Sequence, residues 1–199
     1  MSSFSDAISK KVLIKEIYFD TSFIYALLAS ASDFTEYRFQ QTRLFYDHLC
    51  NSRTQMWTSY LSLQEIMHLE FRDILFEEIR QFEKSNGLNE NSLTYGSFKK
   101  NYRSEFNACY NKHKSIFHKI FKSIIGLKIQ IRIPKDYSVA SFSKGRLIAR
   151  FAKCLLDTYI LEVADAFHIA TARCNGTKTI ATNDLDFKQV KNIMVFSYR

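Results

Sequence analysis

The stretch EIYFDTSFIYALL, Glu16 to Leu28, predicts how the chain begins to fold. EIYF has the pattern of a short buried strand that ends at Asp20, and FIYALLA continues as a helix. An aspartate at such a junction is a good N-cap, because its side chain accepts hydrogen bonds from the free N–H groups of the first helical turn. Taken alone, the stretch favours this capping role over a catalytic one.

Short strands and helices continue to alternate along the chain. Strand patterns recur in QMWTSY, LKIQIRIP, TKTIATND and NIMVFSY, and helical patterns separate them, most clearly in SLQEIMHLEFRDILFEEIRQFEK. This alternation predicts an α/β fold with a mainly parallel sheet flanked by helices. We expect a single domain over residues 1–199, with a basic helical excursion over residues 84–125.

The charge is unevenly distributed. The 199 residues carry a net charge of +8, but the segment from Phe98 to Lys153 has 14 Lys and Arg against 2 Asp and Glu. That segment therefore carries +12 and the remainder −4. A basic segment can face phosphate, and it can equally be a solvated helix face or a partner-binding surface. Charge alone therefore favours nucleic acid as the partner of this segment only slightly.

Membrane association is not expected. No apolar segment approaches the roughly 20 residues that a membrane-spanning helix needs, and the N-terminal MSSFSDAISKK lacks the apolar core of a signal peptide. We therefore expect a cytoplasmic protein. Its cysteines form no CxxC pair and none has zinc-site spacing, so reduced and mostly buried thiols are expected. They are Cys50, Cys109, Cys154 and Cys174.

Carboxylates follow two of the predicted strands. Asp20 ends the first strand, and Asp184 and Asp186 follow the TIAT strand. Because sites in parallel sheets gather at the carboxyl ends of the strands, we expect these acids to meet at one edge. Glu65 and Asp165, each in the opening turns of a predicted helix, complete the set.

Each acid also has a purely structural interpretation. SLQE is a capping-box pattern in which Glu65 bonds back to the N–H of Ser62. Asp165 fits a surface acid at a helix start, and Asp184 and Asp186 fit Asx turns. Together, however, the acids favour one site. Carboxylates held close raise one another's pKa or recruit a cation, and hard oxygen ligands suit Mg²⁺ or Mn²⁺.

Four segments, in this order, resemble PIN-domain proteins and most of all the VapC-type toxin ribonucleases. They are IYFDTS, the glutamate of SYLSLQEI, DAFHIATA and TIATNDLDF, and the resemblance extends from about Glu16 to Tyr198. It implies a metal-dependent endoribonuclease that hydrolyses RNA phosphodiester bonds, as the toxin of a toxin–antitoxin pair. It also implies three candidate partners, namely RNA, an antitoxin protein and a second copy of the chain.

The resemblance assigns roles residue by residue. The catalytic acids would be Asp20, Glu65, Asp165 and Asp184, and the ligands of Mg²⁺ or Mn²⁺ would be Asp20, Asp165 and Asp184. Supporting polar groups would be Thr21, Ser22, Thr182, Asn183 and Asp186. Candidates to hold the RNA backbone, through contacts that salt weakens, are Lys112, Lys114, Lys119, Lys122 and Arg146.

Other interpretations stay open. A non-cleaving RNA- or protein-binding module could use the same scaffold and basic surface. A haloacid dehalogenase-like phosphatase would need an aspartate where Ser22 stands. No catalytic role is assigned to the histidines: His168 is expected to be a packed side chain, and His113 and His118 to belong to the basic surface.

Overall fold

The computed structural model describes residues 2–30, 35–132 and 139–198, with the backbone alone for residues 139–146. The chain divides into two compact units. The first comprises Met1–Leu63 and Leu127–Arg199, and the second comprises Gln64–Gly126. The expectation of a single domain with an excursion over residues 84–125 stays a prediction.

The first unit contains a parallel sheet. In the described part of the chain six strands pair in the order β1-β6-β5-β2-β3-β4, and every pairing is parallel. The predicted α/β fold with a mainly parallel sheet is therefore confirmed. The strands are β1 Ser2–Ser3, β2 Glu16–Phe19, β3 Gln55–Ser59, β4 Gln130–Arg132, β5 Thr179–Ala181 and β6 Met194–Ser197.

Helices connect these strands. Those of the first unit are α1 Phe4–Ser9, α2 Thr21–Ala29, α3 Tyr37–Asn51, α7 Val139–Thr158 and α8 Val163–Cys174. A 3₁₀ turn, Asp186–Gln189, precedes β6. Helix α4 Tyr60–Ser85 begins in the first unit and continues into the second. The second unit also contains α5 Tyr95–Asn101 and α6 Arg103–Gly126. None of the helices in the described ranges is long and apolar enough to cross a membrane.

The pairing of β2 with β5 positions the candidate site. Phe19, the last residue of β2, is in register with Ala181, the last residue of β5. The next residue on each strand, Asp20 or Thr182, is therefore at the same carboxyl edge of the sheet. Although the two residues are far apart in sequence, the strand order makes them neighbours.

Strand alternation distributes the apolar side chains of β2 between the two faces of the sheet. Tyr18 packs edge-on against Trp57, with ring centroids 4.7 Å apart, in a core that includes Ala166 and Ile169 of α8. Its neighbour Phe19 stacks on Phe23 of α2 at 4.2 Å. The junction that carries Asp20 is thus held between two packed layers.

The second unit has its own core. Phe71, Leu75 and Ile79 of α4 pack with Phe98, Phe106 and Cys109 of the next two helices. The basic segment after α4 forms two helices, α5 and α6, because the backbone leaves helical geometry at Tyr102.

Two further features differ from the sequence interpretation. The expectation of mostly buried thiols was wrong, since of the four cysteines only Cys109 is buried. Cys154 is exposed on α7, while Cys50 and Cys174 are half-buried near helix ends. Strand β1 and helix α1 lie in an N-terminal segment for which the sequence predicted no element.

Candidate active site

Asp20 links the end of β2 to the start of α2. It is buried, and its Oδ1 accepts a hydrogen bond of 2.9 Å from the backbone N–H of Phe23, so the capping role is confirmed. Its other contacts come from hydroxyl groups. Ser22 Oγ donates to the carboxylate from 3.0 Å, and Thr182 Oγ1 donates to Oδ2 from 2.5 Å. A simple cap does not require these extra donors.

A small polar network joins the segment after β2 to the segment after β5. Ser22 Oγ accepts a hydrogen bond of 2.8 Å from the backbone N–H of Asn183, whose side-chain Nδ2 donates to the carbonyl of Ser22. Thr182 Oγ1 accepts a 2.8 Å hydrogen bond from the N–H of Asp184. Each hydroxyl oxygen accepts from a backbone N–H group, so its own hydrogen is free to be donated to Asp20.

Three more aspartates of the same motifs converge. One carboxylate oxygen from each of Asp165, Asp184 and Asp186 lies within 4.8 Å of the other two. Asp165 is in the first turn of α8, Asp186 begins the 3₁₀ turn, and Asp184 accepts from the N–H of Asp186 at 2.9 Å. The Asx turn considered for Asp184 is therefore present, and it does not prevent the convergence.

The carboxyl of Asp165 is strongly perturbed. Burial, and then the charges of Asp184 and Asp20, raise its pKa to about 7 from an ordinary value of 3.8. Burial also raises the pKa of Asp20, although the charge of His168 and the hydrogen bonds from Thr182, Phe23 and Ser22 oppose that change. These directions show that both carboxylates lie where negative charge is unfavourable without a neighbouring cation.

The acids fit a hard divalent cation. Four buried side-chain oxygen atoms of the described residues lack a hydrogen-bond partner, and two of them, Asp165 Oδ2 and Asn183 Oδ1, belong to these motifs. Buried polar atoms are normally hydrogen-bonded, so an unsatisfied oxygen beside other carboxylates suggests a missing positive partner. All donors here are oxygens, the ligands that Mg²⁺ and Mn²⁺ prefer.

The sequence interpretation missed a buried hydrogen-bond network next to these acids. Tyr18 Oη lies 2.5 Å from His168 Nδ1, 2.9 Å from Ser59 Oγ and 3.3 Å from Ser62 Oγ. On the other side of the ring, His168 Nε2 lies 3.2 Å from Thr21 Oγ1. His168 is packed, as expected, and its charge opposes the rise that burial causes in the pKa of Asp165 and of Asp20.

The remaining predicted residues lie in the second unit, or their side chains are outside the described part of the structure. Glu65 lies on α4 in the second unit, and its catalytic role stays a prediction. Lys112 pairs with Glu78 at 2.6 Å, and its role in RNA binding stays a prediction. Three other lysines are exposed on α6, and their role in RNA binding stays a prediction: Lys114, Lys119 and Lys122. The side chain of Arg146 lies outside the described residues.

Known proteins add only a distant likeness. No protein-family model matches the sequence, and no curated protein matches it. Among solved structures, the chain is similar to the crystal structure of VapBC2 from Rickettsia felis bound to a DNA fragment from its promoter. The two chains share 12% identity over 90% of this chain and 96% of that chain, with a TM-score of 0.42. A likeness at this level carries no argument about activity.

Proposed function

We propose that this protein is a metal-dependent endoribonuclease with a PIN-like site, in which Asp20, Asp165 and Asp184 hold Mg²⁺ or Mn²⁺. The proposal rests mainly on the environment of the Asp165 carboxyl group. Its carboxyl meets those of Asp184 and Asp186, its pKa is raised to about 7, and its Oδ2 has no donor. Carboxylates arranged in this way repel one another when they are ionised, and a bound cation offsets that repulsion.

The residues of the chain prepare the site before any ligand arrives. Ser22, Thr182 and the N–H of Phe23 fix the orientation of the Asp20 carboxylate. Thr182 also holds the N–H of Asp184, so the segments after β2 and β5 are locked together. Such supporting hydrogen bonds orient metal ligands and reduce the cost of reorganisation during the reaction.

A divalent ion bound by these acids would ionise a water and stabilise the charge on the phosphate. Asp186, whose carboxylate lies within 4.8 Å of those of Asp165 and Asp184, would be an additional acid that orients the water or the ion. Glu65 is proposed as a fourth catalytic acid because its sequence motif resembles that of PIN-domain proteins. The same resemblance motivates the finer proposal of a toxin with an antitoxin partner, and the exposed lysines of α6 are candidate RNA contacts.

The test is cleavage of a mixed RNA pool by the purified protein with Mn²⁺, with Mg²⁺ and with EDTA. Asp20→Asn is the informative variant, because asparagine still caps the helix while it removes the charge. Asp157→Asn is the matched control, since Asp157 is exposed on α7 and pairs with the exposed Lys153. Circular dichroism checks that both variants fold.

We expect cleavage with metal in the wild-type protein and in Asp157→Asn, and background cleavage in Asp20→Asn and in EDTA. RNA that binds but stays intact with either metal would overturn the catalytic proposal in favour of the binding module. Cleavage that survives in folded Asp20→Asn would also reject this site and indicate a contaminant or another active centre.

A further inference from the structure

The second unit contains a cluster of metal-ligating side chains that the nuclease proposal does not use. Glu78 of α4 faces Cys109 and His113 of α6, and a ligand atom from each lies within 4.8 Å of the other two. Cys109 and His113 are four residues apart, so they lie on the same face of the helix. All three residues belong to Gln64–Gly126, so the cluster is internal to the second unit.

The three donors form a different kind of set from the acidic site. A thiolate, an imidazole and a carboxylate together are typical ligands of Zn²⁺, whereas the all-oxygen site suits Mg²⁺ or Mn²⁺. Zinc bonds of about 2.0–2.3 Å place tetrahedral ligand atoms roughly 3–4 Å apart. The observed separations therefore require only small side-chain rotations to surround one ion.

The cluster is also partly shielded from water. Cys109 is 6% exposed and packs in a core with Phe71 and Phe106. The side chains of Glu78 and His113 are 26% and 20% exposed, so one side of the cluster is open to solvent. This arrangement leaves room for a water as a fourth ligand, with protein donors on the inner side.

An ordinary ion pair is the competing explanation for Glu78. Its Oε1 accepts from Lys112 Nζ at 2.6 Å and from His113 Nε2 at 2.9 Å. The side chain of Lys112 is 64% exposed, however, and an exposed ion pair contributes little to stability because water and salt screen it. Lys112 can therefore move into solvent at little cost. The ion-pair explanation leaves the Cys109 thiol, which completes the cluster, as a packing group of the core alone.

We propose that Glu78, Cys109 and His113 bind a thiophilic divalent cation, Zn²⁺ above all, and that this ion fastens α4 to α6. The inference goes beyond the proposed nuclease function, since it concerns other residues, a different metal class and a structural role. On binding, the thiol proton of Cys109 is released and His113 takes the neutral tautomer with its proton on Nδ1, so that Nε2 is free to ligate. The Glu78–His113 hydrogen bond is then replaced by two bonds to the ion.

Cobalt binding tests the site directly. The full chain, freed of metal by a chelator, is titrated with Co²⁺ alone, and the near-ultraviolet band of a thiolate–Co²⁺ bond is recorded. This band reports a cysteine ligand, so Co²⁺ bound by the aspartates of the nuclease site does not produce it. We expect one equivalent of band-forming Co²⁺ per chain, visible bands of tetrahedral geometry, and loss of all bands on addition of Zn²⁺.

Four variants test whether the thiolate–Co²⁺ band arises from this cluster. Cys109→Ser and His113→Gln should lose the band, and the half-buried position of His113 makes its variant the safer one for folding. Cys154→Ser removes an exposed thiol and should keep the band. Asp165→Asn should keep it too while losing metal-dependent RNA cleavage, so failure of the zinc site and failure of the nuclease proposal are distinguishable.

Thermal unfolding gives a second readout. Zn²⁺ should raise the unfolding temperature of the wild-type protein, because a ligand that binds only the folded state stabilises it, and should not raise that of folded His113→Gln. The proposal is overturned if no thiolate–Co²⁺ band forms at millimolar Co²⁺, if the band persists in Cys109→Ser, or if Cys154→Ser abolishes it.

Discussion

The hydroxyl of Thr182 donates a hydrogen bond to the buried carboxylate of Asp20, 162 residues earlier in the chain. The pairing of β2 with β5 makes this contact, because Phe19 and Ala181 are in register and the next residues meet. The same Thr182 oxygen accepts from the N–H of Asp184. One side chain therefore orients two of the three proposed metal ligands.

Thr182→Val should impair the site without removing an acid. Valine keeps the shape of threonine but donates nothing to Asp20 and accepts nothing from Asp184. We expect metal affinity or RNA cleavage to fall by about 10–100-fold, as is usual for residues that orient metal ligands. Thr182→Ser, which restores the hydroxyl, is the matched control and should recover most of the loss. Equal activity of the Val and Ser variants would contradict the orienting role.

Asp165→Asn should stabilise the metal-free protein in a pH-dependent way. The pKa of Asp165 is about 7 in the folded protein against an ordinary 3.8. Between these values the folded state keeps a proton that the unfolded state has lost, so stability falls as pH rises. Asparagine removes this penalty. We expect similar stability of the two proteins near pH 4 and a more stable variant at pH 8, by a few kcal/mol.

Urea unfolding in EDTA at each pH measures this difference, with Asp157→Asn as the control that should show none. Addition of Mg²⁺ at pH 8 should reduce the difference in stability between the two proteins. Only the wild-type protein keeps all the carboxylates that are proposed to bind the ion. A difference between wild type and Asp165→Asn that is the same at pH 4 and pH 8 would show that the Asp165 carboxyl is not perturbed.

The strand end that carries Asp20 could be predicted because two local signals agree there. EIYF is apolar enough for a buried strand, and an aspartate followed by two hydroxyls suits a helix start. Because sites gather at the carboxyl ends of parallel strands, Asp184 was expected at the same edge of the sheet as Asp20. The observed register of β2 and β5 agrees with that expectation.

Other features depend on tertiary contacts that no local pattern encodes. Strand β1 is two polar residues, Ser2 and Ser3, and becomes a strand only by pairing with β6. The raised pKa of Asp165 comes from burial and from charges in distant segments. The cluster of Glu78, Cys109 and His113 was missed because its ligands lie on two helices. A CxxC pattern also does not reveal a set of ligands that contains a single cysteine.

Tyr18→Phe should destabilise the first unit. The phenol of Tyr18 is fully buried and contacts His168 Nδ1, Ser59 Oγ and Ser62 Oγ. Removing one partner leaves buried polar groups unsatisfied, at a cost of about 1–3 kcal/mol in the free energy of unfolding. Urea unfolding measures the loss. Tyr37→Phe, at an exposed position, should change stability little, and equal effects of the two changes would refute the importance of the network.

Glu83→Gln should loosen the second unit after α4. The buried carboxylate of Glu83 accepts hydrogen bonds from the N–H groups of Asn91 and Leu93 and from the hydroxyl of Ser92. Burial acts to raise the pKa of Glu83, but these bonds outweigh it and lower the pKa. Glutamine offers one acceptor oxygen and an NH₂ group, so one of the backbone donors loses its partner.

The pH dependence of Glu83 follows from the lowered pKa. Its stabilising effect is complete above the ordinary value of 4.5 and is lost as the pH falls through the folded-state pKa. We therefore expect faster amide hydrogen exchange at Asn91 and Leu93 in Glu83→Gln at pH 7, and a smaller relative difference from wild type in acid. Glu90→Gln, an exposed change in the same loop, is the control. Unchanged exchange at Leu93 at pH 7 would mean that the carboxylate does not hold this loop.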